Sequence, residues 1–333
     1  MTAPRISVLM PCFNHGEFIG EAVDSVLSQT CQQFEILVVD DGSTEQATRE
    51  TLSRLQGGKI QVLTTANRGL PAARNHAARH AAGEFFCALD ADDKLAPTWF
   101  ERALQLLDSR PDLAFVSHWL ETFGDERWTW TPERCDLPSL LARNAVNGAA
   151  LVRRSAFESV HGYDEKMREG CEDWDLWLRL VEAGHTGAII PEVLFFYRRR
   201  ADSMSRRMLD PAAYRRPLEQ LVHSHESSYR THLVEVLAAR EAEVQHLTHE
   251  IAELERDRLL TLEPQLRRAR EERDALTLKA RRVEAVRAVE EQREHLAWRV
   301  TELEREVREL RASWSWRVTN PLRRVYGLLG RTR

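Results

Sequence analysis

Asp90, Asp92 and Asp93 close an apolar run, Phe85-Phe86-Cys87-Ala88-Leu89, inside the stretch GEFFCALDADDKLAPTWF. Five apolar residues bounded by polar ones read as a short strand buried on both faces, because such a strand loses the polar alternation. Three carboxylates crowded at its end repel one another, so either a bound cation or exposure to water must offset their charge. A D-x-D pair supplies hard oxygen ligands for Mg²⁺ or Mn²⁺, a cation that keeps several waters and takes substrate phosphate oxygens as its remaining ligands. Acidic triplets are common on loops. The apolar strand before this one, and a second acidic strand end at Asp40-Asp41 after FEILVV, give the metal reading its weight.

The elements that must position these acids alternate along the first part of the chain, to about residue 215. RISVLMP reads as a strand, and EFIGEAVDSVLSQT as an amphipathic helix with Ile19, Val23, Val26 and Leu27 on one stripe. FEILVVDDGST is a second strand, TEQATRETLSRL a helix and KIQVLTT a third strand. LPAARNHAARHAAG is a helix closed by Gly83, and EFFCALDADD a fourth strand. This alternation predicts βαβ units and an α/β fold with a mainly parallel sheet flanked by helices. Ligands on such sheets sit outside the carboxyl ends of the strands, where both acidic clusters fall.

From about 225 to 312 the composition changes to Glu, Arg, Leu, Ala and Val, without Gly and with one Pro. Leu237, Val244, Leu247, Ile251 and Leu254 keep heptad spacing, and so do Leu296, Val300, Leu303, Val307, Leu310 and Trp314. These repeats predict a long α-helical coiled coil, most simply a parallel homodimer joined along Leu296 to Trp314, with a break or kink at Pro264. The competing reading is a single charged helix folded back on the globular part. The last segment, 313–333, is SWSWRVTNPLRRVYGLLGRTR; it holds five Arg among aromatic and aliphatic residues, and no acid occurs from Ala312 onward. Such a tail suits an anionic membrane surface, or alternatively a partner protein.

Bulk properties narrow the rest. A formal net charge of −5 demands no nucleic-acid partner. Five widely spaced cysteines without a CxxC pair argue against a disulfide framework or a zinc site and fit a reducing compartment. The beginning lacks a signal-peptide pattern, and no run approaches the roughly 18 apolar residues of a membrane span. The expected location is cytoplasmic, with the tail allowing peripheral contact at the inner face of the cell membrane.

Four segments, SVLMPCFNHGEFIGEAVDSVLSQTCQQFEILVVDDGST, NRGLPAARNHAARHAAGEFFCALDADD, NAVNGAALVRRSAFESVHGYDEKM and CEDWDLWLRLVEAG, resemble the successive signatures of family 2 glycosyltransferases over about residues 5 to 205. The resemblance implies an inverting enzyme with the GT-A (Rossmann-like) fold that binds a nucleotide-sugar, here a UDP- or dTDP-sugar, with Mn²⁺ or Mg²⁺. It places Pro11, Phe13 and Glu17 beside the nucleoside, although Phe13 suits a core equally well. It gives Asp41 the nucleotide base, a role for which a carboxylate is a good acceptor; capping of the following turn competes for Asp40 or Asp41. It sets Arg74 of the A-R-N segment near the diphosphate, Asp90 near the ribose or sugar, and Asp92 on the metal, while Asp93 starts the next turn. Asp173 matches the general base, with Glu172 favouring the helix N-terminus and Trp174 and Trp177 serving as core. Asn147 and Gly148 would border the acceptor, a saccharide or lipid-linked saccharide of bacterial surface polysaccharide assembly. Arg200 stands where many relatives carry His. The competing classes are a nucleotidyltransferase, which would want a basic Gly-rich loop where PCFNHGEF stands, and a non-catalytic coiled-coil scaffold, which would not need Asp92 and Asp173.

Overall fold

The computed structural model describes residues 3–200, 210–280 and 286–312. They form two compact units, Met1–Leu237 and Ala238–Arg333.

The first unit is built on one nine-stranded sheet. β1 (Ile6–Cys12) lies between β2 (Phe34–Asp40) and β4 (Phe85–Ala88), parallel to both, and β3 (Ile60–Thr64) extends the parallel ladder beyond β2. Every residue of β1 is buried, as expected for a strand paired on both edges and covered on both faces. The parallel pairing requires the crossover helices α1 (Ile19–Leu27), α2 (Gln46–Leu55) and α3 (Leu70–His80). Ile19, Val23 and Val26 bury the α1 stripe, whereas Leu27, expected on it, is exposed at the last turn.

Beyond β4 the sheet becomes mixed, which tempers the expectation of a mainly parallel one. β8 (Leu151–Arg153) runs antiparallel between β4 and β6 (Leu113–Gly124), and β9 (Thr186–Arg199) returns parallel to β6. β5 (Lys94–Leu95) pairs antiparallel with β9, and β7 (Thr129–Trp130) with β6. β1, β2, β3, β4, β6 and β9 therefore point one way and β5, β7 and β8 the other. Helices α4 (Trp99–Ser109), α5 (Leu137–Ala142), α6 (Arg154–Ser159) and α7 (Glu172–Glu182) cover the sheet. One apolar cluster joins β1 and β2 to α1 and α4; a second joins the other face to α3, α5 and α7. α8 (Pro211–Ser224) and α9 (Glu226–Thr231) follow, and Leu221 and Val236 enter the second cluster, so this unit reaches past residue 215.

The second unit contains most of α10 (Leu233–Ala280) and all of α11 (Val286–Ala312). Of the break or kink expected at Pro264, the break does not occur: α10 runs on through it. Leu259, Leu262, Leu266 and Ala269 pack against Val300, Leu303 and Val307. Arg270 pairs with Glu304, and Arg311 with Glu263 at 2.6 Å, so residue numbers rise along one helix as they fall along the other. The seam is an antiparallel hairpin within one chain. Of the heptad residues expected to join two chains, Val300, Leu303, Val307 and Leu310 pack against their own chain, so burying these needs no homodimer. Trp314 and the basic tail lie outside the described residues. Among the described residues, no helix is long and apolar enough to cross a membrane.

Candidate active site at the carboxyl edge of the sheet

β1, β2 and β4 all end in the same direction, and the loops that follow them are stitched together. Asp41 N–H donates to the Cys12 carbonyl at 2.9 Å. Asn14 Oδ1 accepts from the N–H groups of Thr44 and Glu45, and Asn14 N–H donates to Ser43 Oγ. Asn14 itself holds a left-handed backbone with φ of 57°, which Asn tolerates better than most residues. Pro11 is buried at the end of β1, while Phe13 is 42% exposed, so its ring is not core. Glu17 is exposed in the turn before α1.

The two adjacent acids at the end of β2 divide their work. Asp40 Oδ1 accepts from Ser43 N–H at 2.8 Å and closes the turn, the capping role expected for one of the pair. Asp41 Oδ1 accepts from Arg68 N–H at 2.9 Å and Thr65 Oγ1 at 3.2 Å, and its Oδ2 from Gly69 N–H at 2.8 Å. Gly69 takes a φ of 89°, open to glycine, at the start of α3. An ionised carboxylate offers about four acceptor positions. Asp41 thus keeps capacity on Oδ2 for one further donor.

Arg74 is the centre of the constellation. Its side chain is 3% exposed, with Nη2 2.7 Å from Asp90 and Nη1 2.7 Å from Glu172, over the face of Tyr163. A single guanidinium thereby joins the end of β4 to the start of α7. Each of its terminal nitrogens is engaged by one of these carboxylates. Burial opposes the charge, yet the two acids hold Arg74 protonated more firmly than usual. Glu172, buried beside Asp173, is pushed up to about 7 despite the pull of Arg74. The sequence expectation that Glu172 merely favours a helix N-terminus misses this buried pair.

Asp173 sits next to it, half-buried. Its Oδ1 accepts from Trp174 N–H at 2.7 Å and its Oδ2 from Asn144 Nδ2 at 3.1 Å. Burial raises its proton affinity, while Arg74 and these donors oppose the rise. Cys171, with φ of 63°, makes the left-handed turn that starts α7 and aims its first residues. Trp174 and Trp177 are buried, and Trp174 Nε1 donates to the Leu140 carbonyl, so both are core as expected.

Asp92 lies 3.7 Å from Arg200, which also reaches His15 Nε2 at 3.3 Å and stacks over Phe18. Burial and the neighbouring Asp90 raise Asp92 above the usual carboxylate range. Asp93 is buried and accepts from Arg198 N–H at 2.8 Å, while Arg198 Nε donates to the Asp92 carbonyl. The D-A-D-D loop is therefore clamped by the end of β9, a role for Asp93 beyond starting a turn. Asn147, expected at the acceptor side, instead turns inward and donates to the His118 carbonyl at 3.0 Å. Gly148 lies against Arg74. Sequence reasoning did not find Asn144, His15 or Arg198; Asn144 stands only three residues before the chosen Asn147, in the same N-A-V-N segment.

Among the described residues, no three His, Cys, Asp or Glu side chains converge as a complete metal cage. That fits a cation which takes one or two carboxylates and completes its shell with water and phosphate. Asp92 is an oxygen donor of the kind such a cation takes, and positive charge beside it would offset the repulsion from Asp90 that helps to raise it.

Comparison with known proteins agrees with this architecture. Residues 7–165 match the model of "Glycosyl transferase family 2", and residues 129–249 match "Glycosyltransferase like family 2". The Bacillus subtilis (strain 168) protein EpsE, whose name assigns it to the glycosyltransferases, is 28% identical over 62% of this chain and 77% of its own length. An uncharacterized glycosyltransferase of Rickettsia typhi (strain ATCC VR-144 / Wilmington) is 27% identical over 54% of this chain, which spans 59% of that relative. Among solved structures, S. aureus TarS 1-349 has a TM-score of 0.56 at 17% identity, with 70% of each chain covered. The same fragment in complex with UDP-GlcNAc has a TM-score of 0.52 at 19% identity over 60% of each chain. These likenesses define the GT-A fold. Residues 7–165 carry the family 2 glycosyltransferase signature, and the chain is a glycosyltransferase.

Proposed function

We propose that this chain transfers a sugar from a UDP- or dTDP-sugar to a saccharide hydroxyl with inversion and with the help of Mn²⁺ or Mg²⁺. The observation that carries the reading is that Arg74 joins Asp90, just past the end of β4, to Glu172 at the start of α7, the neighbour of Asp173. Donor binding draws further support from the TarS fold neighbour, whose structure contains UDP-GlcNAc. In this reading the exposed Phe13 lies against the nucleoside beside Pro11 and Glu17. Asp41 accepts from an imide N–H of the base with its remaining Oδ2 capacity. Arg74 acts from behind the diphosphate, fixing Asp90 for the ribose or sugar.

Asp92, with Asp90, would hold the cation, whose contribution is to neutralise charge on the leaving diphosphate. Asp173 takes the proton of the acceptor hydroxyl as its oxygen bonds to the anomeric carbon, and the bond from that carbon to the diphosphate oxygen breaks on the opposite side. The hydrogen bond from Asn144 fixes the carboxylate for this step. A raised proton affinity makes Asp173 a stronger base than an exposed aspartate.

The acceptor we propose is a saccharide of bacterial surface polysaccharide assembly, lipid-linked and met at the inner face of the cell membrane. The basic, apolar composition of 313–333 supports a peripheral, cytoplasmic placement. A panel of nucleotide-sugars assayed with and without Mn²⁺ tests the core of this. Asp92→Ala is expected to abolish transfer and weaken nucleoside-diphosphate binding with the fold intact, and the product anomer, read by NMR, is expected to be inverted. Full activity in excess EDTA would rule the cation out.

A further inference from the structure

The back of α7 is held by a buried titratable group that the proposed transfer does not use. His225, between α8 and α9, has a side chain only 1% exposed. Its Nε2 lies 3.2 Å from Asp175 Oδ1 and its Nδ1 2.8 Å from Glu182 Oε2. Asp175 also accepts from Arg179 Nε at 2.8 Å, and Glu182 from Ser228 Oγ at 2.5 Å. Ionised carboxylates only accept hydrogen bonds, so both ring nitrogens must donate, and the ring is the imidazolium. At roughly 100° per residue, Asp175 and Glu182 share one face two turns apart, and both lie about 160–180° around the helix from Asp173. One ring therefore bridges two turns of α7 on the side opposite the base.

We propose that His225 is a positioning residue: by donating to Asp175 and Glu182 at once, it fixes α7 and so the placement of Asp173. This rests on Asp173 being the base, as proposed above. The charged groups that α7 turns toward the ring are Asp175, Glu182 and, through Asp175, Arg179; α9 adds the Ser228 hydroxyl. Two acids face two cations, and loss of the ring proton takes one ring donor away: either the buried Asp175 is left with Arg179 alone, or the partly exposed Glu182 with Ser228. Burial opposes the proton, but the hydrogen bonds to Asp175 and Glu182 raise its pKa to about 9. The latch is therefore closed at neutral pH and opens as pH rises through that value. Small displacements of a catalytic group are enough to cost about a hundredfold in rate.

The test measures kcat and donor KM across the pH range in the full-length protein, together with amide exchange of the peptide spanning 172–182. The wild type is expected to lose kcat on the alkaline side with a midpoint near 9. His225→Gln is expected to lower the kcat plateau about ten- to a hundredfold, to leave donor KM within about twofold, and to lack that alkaline limb. Ser228→Ala, which keeps the ring and both carboxylates, is expected to retain the limb. A His225→Gln protein with wild-type kcat and an unchanged limb would overturn the proposal. Should that variant not fold, the wild type decides: amide exchange at the start of α7, corrected for its intrinsic pH dependence, must rise above the midpoint, and constant exchange overturns the latch. If the wild type turns over no nucleotide-sugar, the transferase reading fails, while the exchange arm still judges the latch.

Discussion

The sheet unit and the helical unit use the same apolar residue types, and they leave them in different states. Ile6, Val8, Ile36, Val38, Phe85 and Cys87 are wholly buried, each on a strand whose neighbours come from distant parts of the chain. On α10, Leu303's partners Leu259 and Leu262 are buried, yet Leu254, one turn earlier, is 65% exposed, and Val244, Leu247 and Ile251 are exposed with it. A strand exists only through its pairing, so its surroundings are dictated by topology. A helix satisfies its backbone alone, and its apolar stripe can be covered for part of its length. The chemistry sits in the unit where nothing is left to choose.

The largest effect should come from the point where that fixed geometry meets the reaction. Asp173→Asn keeps the shape and the Asn144 contact region but removes the proposed base, and kcat is expected to fall by about 10²–10⁴ with donor affinity nearly unchanged. In the wild type, kcat should also fall on the acid side as Asp173 is protonated, at a pH above that of an ordinary aspartate because burial raises its affinity for protons. Collapse of donor binding with turnover retained would make Asp173 a binding residue instead.

Arg74→Met sharpens the comparison, since it removes one charge from a site where two acids depend on it. Breaking a buried pair by removing one partner typically costs about 3–5 kcal/mol, because the remaining charge stays buried and uncompensated. Urea unfolding should register that loss in the first unit, and activity should fall as Asp90 and Glu172 lose their common anchor. Arg74→Met with wild-type stability would mean that water reaches Glu172 and Asp90 in solution.

How legible this was follows the same division. The strands β1, β2 and β4 could be read because a strand buried on both faces is a continuous apolar run, and at β2 and β4 carboxylates interrupt it abruptly. The partners of Arg74 could not, because they stand 16 and 98 residues away and no local periodicity connects them. His225 was missed for the same reason: Asp175 is 50 residues distant. Asp41 was legible as an acid at a strand end, but not as the acceptor for the loop that starts α3. In the helical unit the heptads were read correctly as a seam. Heptad spacing defines a face and not the helix that covers it, so a parallel partner chain was expected where α11 folds back antiparallel on α10.

The smallest effects should separate the covered from the uncovered part of that seam. Leu303 is 3% exposed against α10, and Leu254 lies on the same helix pair's exposed continuation. Leu303→Ala should cost about 2–5 kcal/mol, the transfer of a buried side chain plus the cavity it leaves. Leu254→Ala removes the same atoms from a position already in water and should shift stability by less than about 0.5 kcal/mol. Both follow from the helical signal in thermal or urea unfolding of the full chain, with light scattering to give the mass. Equal losses at the two positions, together with a halved mass for Leu254→Ala, would mean that a second copy covers the 244–254 stripe in solution. The contrast between the units would then lie in when the helical face finds its partner: during folding for Leu303, and only on association for Leu254.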